Sequence, residues 1–195
     1  MSQIILVTGG ARSGKSSFAE ELCRMQNNST AYIATSIPFD EEMKDRVKKH
    51  REMRPGTWKT YEVYQKVYEK ISEIAAKHET VILDCVTLMV NNLMFEENID
   101  YDCITPEEAN KLEAYIKNEF EKLLEEVCKT NLYFVIVTNE IGMSPVAANK
   151  LTRIYTDIIG RMNQLIAKQA DEVYFVVSGI PMKIKDMQAI NKVEG

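Results

Sequence analysis

Paired cysteines are missing from this chain. Its four cysteines, Cys23, Cys85, Cys103 and Cys128, are far apart and form no C-x-x-C unit, which argues against a zinc knuckle or a disulfide framework and fits a reducing compartment. No apolar run approaches the roughly 20 residues of a membrane helix, and the start, MSQIILVTGG, has no basic region ahead of its short apolar stretch. There is no surplus of positive charge either. Twenty-four Lys and Arg against 29 Asp and Glu give a net charge of −5, which argues against broad binding to nucleic acid or an anionic membrane. Nothing marks a second domain: there is no Gly/Ser linker, internal repeat or break in composition. The expectation is a soluble, cytoplasmic protein whose 195 residues form one domain, with a frayed polar tail over 186–195.

The chain does have enough apolar residues for a core. At 45% hydrophobic and 27% charged, it falls outside the disordered and low-complexity classes. Short apolar runs recur at Ile4–Val7, Ala31–Ala34, Val81–Leu83, Tyr133–Val137 and Val173–Val177. Their continuous rather than alternating character predicts strands covered on both faces. Helical patterns separate them. Val63, Val67, Ile71 and Ile74 fall at helical spacing, Thr105-Pro106-Glu107-Glu108 reads as a capping box opening a helix to Cys128, and Asp40 is placed to cap a helix ending near Pro55-Gly56. Alternation of this kind predicts an α/β fold with a mostly parallel central sheet flanked by helices, whose ligands gather beyond the carboxyl ends of the strands.

The residues after the first run carry the strongest motif. Gly9-Gly10-Ala11-Arg12-Ser13-Gly14-Lys15-Ser16 fits G-x-x-x-x-G-K-[ST] between a strand and a helix. Glycines there let backbone N–H groups wrap a phosphate, Lys15 is placed for the β- and γ-phosphates, and the Ser16 hydroxyl for Mg²⁺. Asp84, ending the run Val81-Ile82-Leu83, is the expected second metal-side group, although an aspartate capping the next helix would look the same. Thr138-Asn139-Glu140 follows another buried run, and its polar groups are expected at the same crevice with no fixed chemistry.

Only two histidines are present. His78, between a helix and a strand, is expected to be solvated or to serve the helix C-terminal dipole. His50 lies in Arg46-Val47-Lys48-Lys49-His50-Arg51-Glu52-Met53-Arg54. Such a cluster can be a solvated basic face with a spectator histidine; on the pattern alone this bland reading leads. Alternatively, the cations keep the imidazole neutral and hold a polyphosphate against it, as a nucleophile on phosphorus requires. Tyr61, Tyr64 and Tyr68 suit a helix face better than a base-stacking platform.

Taken together, these blocks resemble a known family. The residues that carry the likeness are ILVTGGARSGKS at 5–16, YIATS at 32–36, DEEM at 40–43, R-V-x-x-H-R-x-x-R-P at 46–55, WKT at 58–60, LDCVT at 83–87, TNEIGM at 138–143, GRMNQ at 160–164 and VVSGIPMKIK at 176–185. They resemble the bifunctional adenosylcobinamide kinase/adenosylcobinamide-phosphate guanylyltransferases of cobalamin biosynthesis. The resemblance implies a three-layer, RecA-like P-loop NTPase fold and two reactions: phosphorylation of adenosylcobinamide by a nucleoside triphosphate such as ATP, then transfer of GMP from GTP through a guanylyl-histidine at His50. It also implies nucleotide contacts at Gly9–Ser16, Ala34, Thr35, Ser36, Arg51, Glu52, Met53 and Arg54, with Glu62 and Asp84 as further nucleotide or metal-side residues, and a homotrimer acting on a corrinoid substrate. Where many relatives carry Val-Pro-Glu after the TNE block, this chain has Val146-Ala147-Ala148. The competing readings are a small-molecule P-loop kinase without guanylyl transfer and a nucleotide-dependent regulatory switch.

Overall fold

The computed structural model describes residues 1–36, 55–96, 99–143 and 145–186. Seven strands, β1 (Gln3–Gly9), β2 (Thr30–Ala34), β3 (Lys59–Glu62), β4 (Thr80–Asp84), β5 (Tyr133–Val137), β6 (Glu172–Val177) and β7 (Ile180–Lys185), form one sheet in the order β3-β2-β4-β5-β1-β6-β7. All neighbours are parallel except β6 and β7, which make an antiparallel hairpin. The helices are α1 (Lys15–Met25), α2 (Tyr68–Ala75), α3 (Val86–Met94), α4 (Pro106–Cys128) and α5 (Lys150–Gln169).

Two apolar layers sandwich the sheet. On one face Ile5, Val7, Tyr32, Ile82, Val135 and Val137 pack against Ala19 and Cys23 of α1. On the other, Ile4, Leu6, Ile33, Leu83, Phe134 and Ile136 meet the buried stripes of α2, α3, α4 and α5. Successive residues of one strand therefore feed opposite cores, which explains why the five central runs are apolar without alternation. The expected α/β architecture is found.

Helix boundaries follow local chemistry. Thr105 caps α4 through its side chain, which accepts from the Glu108 N–H, while Glu108 accepts from the Thr105 N–H; Pro106 fills the first turn. Asn149 opens α5 by accepting from the Thr152 N–H at 2.7 Å. The Lys185 ammonium, from β7, donates to the carbonyls of Ala167, Lys168 and Ala170, closing the far end of α5.

Some local expectations change. The periodicity beginning at Val63 predicted a helix there, yet α2 starts at Tyr68, and Val63 is hydrogen-bonded to Ala34 as the continuation of β3. Tyr61 lies on β3, not on a helix face. Neither β3 nor β7 has a continuous apolar run, because each is a sheet edge with exposed positions. The Asp40 helix lies outside the described residues, as does the tail beyond Asp186.

His78 also departs from expectation. It is half-buried, with Nδ1 2.9 Å from Ser29 Oγ and Nε2 3.2 Å from Tyr61 Oη, joining the starts of β2 and β4 to edge strand β3. Burial, assisted by Lys77 and Lys59, holds its pKa below the usual histidine value. The unfolded chain then binds the proton more readily, so this contribution to stability is complete above about pH 6.5 and declines as pH falls below it. Thermal unfolding at pH 7.5 and 5.5 should show a drop in midpoint on acidification, and the drop should be smaller in His78→Gln. Equal drops in both proteins would remove His78 from the account.

Candidate functional site

Within the Gly9–Ser16 segment, Gly9 ends β1, residues 10–14 form the turn, and Lys15 opens α1, at the carboxyl edge of the sheet. Gly14 is the N-cap of α1 at φ +93°, a conformation side chains rarely tolerate, and a Cβ there would lie 3.1 Å from Gly179 Cα. The two glycines meet because the tip of the β6–β7 hairpin sits against the loop, and the Gly179 N–H donates to Ser13 O at 2.8 Å. On the opposite side, the Glu140 N–H donates to Gly9 O at 3.1 Å. Main-chain atoms from two neighbouring segments thus brace the loop.

Inside this frame the Lys15 ammonium donates to Gly10 O at 3.1 Å, and Lys15 is only 8% exposed. A buried cation folded back on its own loop is poised to exchange that carbonyl for a phosphate oxygen. Two further observations fit a triphosphate. The buried Ser13 hydroxyl has no hydrogen-bond partner among the described residues. Gly10 is not at positive φ, and a Cβ placed on it would meet nothing within 4 Å. Neither strain nor packing accounts for a glycine at that point, whereas an approaching phosphate does. Ala11 and Arg12 are exposed at the tip, with Arg12 at φ 57°; Ser16 is half-buried on the first turn of α1.

Strand register aligns much of the remaining set. Glu62, Ala34, Asp84, Val137 and Val7 pair in succession across β3, β2, β4, β5 and β1. Glu62, Ala34 and Asp84 therefore share one row and one face of the carboxyl edge. Asp84 is two strand spacings from β1, roughly 9–10 Å, and Glu62 four, roughly 19 Å. Asp84 Oδ2 accepts from the Tyr32 hydroxyl at 2.7 Å.

Thr35 is 1% exposed, and all three of its polar groups are engaged: its N–H donates to Asp84 O at 3.2 Å, its hydroxyl pairs with the Cys85 carbonyl and N–H, each at 2.8 Å, and its carbonyl accepts from Asn92 at 2.7 Å. Its side chain latches β2 to the turn after Asp84, leaving Ser36 as the more accessible polar group of that trio. The Cys85 thiol, buried and beside Asp84, has its pKa pushed up to about 11, so it is an unreactive packing group at neutral pH. His50, Arg51, Glu52, Met53 and Arg54 lie outside the described residues.

A polar network missed in the sequence lies behind this edge. Thr138 Oγ1 donates to Asn163 Oδ1, Asn163 Nδ2 to the Asn139 carbonyl, and Asn139 Nδ2 to Thr87 Oγ1, while the Tyr155 hydroxyl reaches Thr87 O. It ties β5 to α5 and the start of α3. Only the partly buried TNE run hinted at it. The Val146–Ala148 segment is held by Arg153, which donates to the carbonyls of Ala147 and Ala148.

As for a metal, no group of three or more His, Cys, Asp or Glu side chains able to hold an ion occurs among the described residues. The oxygen donors expected from motif and position are Ser16 and Asp84, hard oxygens of the number Mg²⁺ takes from protein when phosphates and water complete its shell. That donor set fits a nucleotide-borne Mg²⁺.

Fold and loop define a P-loop nucleotide-binding protein of the α/β class. A KaiC-like protein from Pyrococcus horikoshii shares the architecture, with a TM-score of 0.51 at 13% identity over 89% of this chain and 70% of that one. Residues 5–184 match the model of the cobinamide kinase / cobinamide phosphate guanyltransferase family, and the chain belongs to that family. It is 44% identical to the bifunctional adenosylcobalamin biosynthesis protein CobU of Escherichia coli and 42% identical to that of Salmonella typhimurium, each over 93% of this chain and 99% of the relative. The corresponding CobP of Pseudomonas aeruginosa is 34% identical over 92% of this chain and 96% of its own.

Gly10→Ala should melt at the wild-type temperature without nucleotide yet bind GTP at least about tenfold more weakly, a loss of about 1.4 kcal/mol, by calorimetric titration. Gly14→Ala, crowded and strained, should lose stability as well. Undiminished affinity in Gly10→Ala would show that the space above Gly10 is not the phosphate cradle.

Proposed function

We propose that this chain phosphorylates the hydroxyl of adenosylcobinamide from a nucleoside triphosphate and then transfers GMP from GTP to the resulting phosphate, giving adenosylcobinamide-GDP and pyrophosphate. The observation that carries the reading is the braced loop with its open space over Gly10 and the buried Lys15 beside it, in a chain of this family. Backbone N–H groups of Gly9–Ser16 and the Lys15 ammonium bind the triphosphate and offset charge that builds on its oxygens. Ser16 and Asp84 would hold Mg²⁺, which when bound neutralises phosphate charge. Phosphorylation then depends on holding the corrinoid hydroxyl in line with the γ-phosphorus.

In the second reaction His50 attacks the α-phosphorus of GTP, the bond to the bridging oxygen breaks and pyrophosphate departs. The corrinoid phosphate then displaces the imidazole. Arg46, Arg51 and Arg54, adjacent in sequence, disfavour the imidazolium and supply charge to the phosphoryl oxygens. Ala34, Ser36, Glu52, Met53 and Glu62 complete the nucleotide contacts, with Thr35 keeping the β2 end in place. The resemblance stated above supports these roles. It also supports a homotrimer, while cysteine usage and unbroken composition support a cytoplasmic chain with a single P-loop domain over 1–195; among the described residues no helix is long and apolar enough to cross a membrane.

Labelling tests the covalent step. Incubation with GTP labelled at the α-phosphorus should leave an acid-labile, alkali-stable label that disappears in His50→Ala, while γ-label leaves none. The variant should keep phosphorylating cobinamide. Formation of the GDP-linked product by an unlabelled wild-type enzyme refutes the intermediate in favour of direct transfer, whereas absence of both label and that product leaves a kinase alone.

A further inference from the structure

The carboxyl edge presents three acidic side chains from its strand ends among the described residues, Glu62, Asp84 and Glu140, and the roles above use only two. Glu140 is the one nearest the phosphate loop. It belongs to β5's continuation, and β5 is the strand inserted between β1 and β4. The Thr138 N–H donates to Val7 O at 3.0 Å and the Glu140 N–H to Gly9 O at 3.1 Å, so this segment stays paired with β1 until the phosphate loop begins.

Its neighbours are committed elsewhere. Thr138 is buried against Asn163, and Asn139 reaches back to Thr87. Glu140 is half-exposed at the rim, and its Oε1 accepts from the Gly142 N–H at 3.1 Å. A Cβ on Gly142 would approach that oxygen to 3.3 Å, so the carboxylate lies against the turn that follows it. The residue after Asp84, where a second acid could otherwise stand, is Cys85, buried and hydrogen-bonded to Thr35 and Thr87. Asp84 itself sits one strand further away and accepts the Tyr32 hydroxyl.

Phosphoryl transfer on a P-loop needs one group on the metal side and another that orients and deprotonates the attacking oxygen. We infer that Glu140 is that second catalytic residue, the general base for the corrinoid hydroxyl in the kinase reaction. The substrate O–H proton passes to the Glu140 carboxylate as the oxygen bonds to the γ-phosphorus. The bond from that phosphorus to the β,γ-bridging oxygen breaks, the nucleoside diphosphate leaves with its electron pair, and Glu140 returns the proton to water. Guanylyl transfer needs no such base, because the attacking imidazole is neutral and the second nucleophile is already a phosphate anion. The inference rests on the kinase reading of this loop.

The experiment compares wild type, Glu140→Gln and Glu140→Asp with adenosylcobinamide plus ATP, and separately with adenosylcobinamide phosphate plus GTP. Gln keeps an acceptor for the Gly142 N–H, so the fold is retained, as melting temperature will show. Expected are a fall in kinase kcat of about 10²–10³-fold in Glu140→Gln with KM for ATP little changed, disappearance of the acid-side limb of the kcat–pH profile, and partial recovery in Glu140→Asp. Guanylyl transfer should fall far less. Comparable losses in both reactions, or a rise in KM alone, assign Glu140 to shaping the loop and overturn the inference. So does a kinase rate retained in Glu140→Gln. A wild-type protein that binds ATP but phosphorylates no cobinamide would instead refute the underlying kinase reading.

Discussion

Two main-chain hydrogen bonds determine what this molecule can do. One comes from Glu140 to Gly9 O and the other from Gly179 to Ser13 O, and together they hold the phosphate loop at its entry and near its exit. A free Gly-rich turn would sample many shapes and have to order itself around a phosphate, giving up binding energy to conformational entropy. Here the two braces restrict those shapes. The loop's N–H groups, the start of α1 and Lys15 can then act on a phosphate as fixed dipoles and charge.

The sheet order is what makes the bracing possible. With β1 between β5 and β6, the loop emerges between two segments that continue past the sheet, the TNE turn on one side and the β6–β7 tip on the other. The same order sets Asp84 two strands from β1 and leaves β5 to fill the gap. Partly buried polar contacts behind the edge, from Asn163 through Asn139 to Thr87, tie β5 to two helices.

How much of this could be read in advance depended on what local sequence controls. The five central strands announced themselves because burial on both faces demands unbroken apolar runs, and α4 because its cap and first turn are encoded within four residues, Thr105 to Glu108. The edge strands were illegible for the opposite reason: Lys59–Glu62 and Ile180–Lys185 are held by a neighbour's backbone, which imposes no pattern on their side chains. The site divides similarly. Lys15, Ser16 and Asp84 follow from motif and position, but the consumption of Thr35 by Cys85, the bridging of His78 to Tyr61 and the meeting of Gly14 with Gly179 depend on residues 17 to 165 positions apart.

The hairpin contact has one more implication. Its grip on the loop uses an amide, a carbonyl and two glycines, so the side chains of β7 are excused from phosphate binding. Ile180, Met182 and Ile184, all open to solvent, are therefore at liberty to change or be recruited elsewhere while the nucleotide end stays intact. Drift along that strand should leave the loop's architecture untouched so long as the glycine at its tip survives.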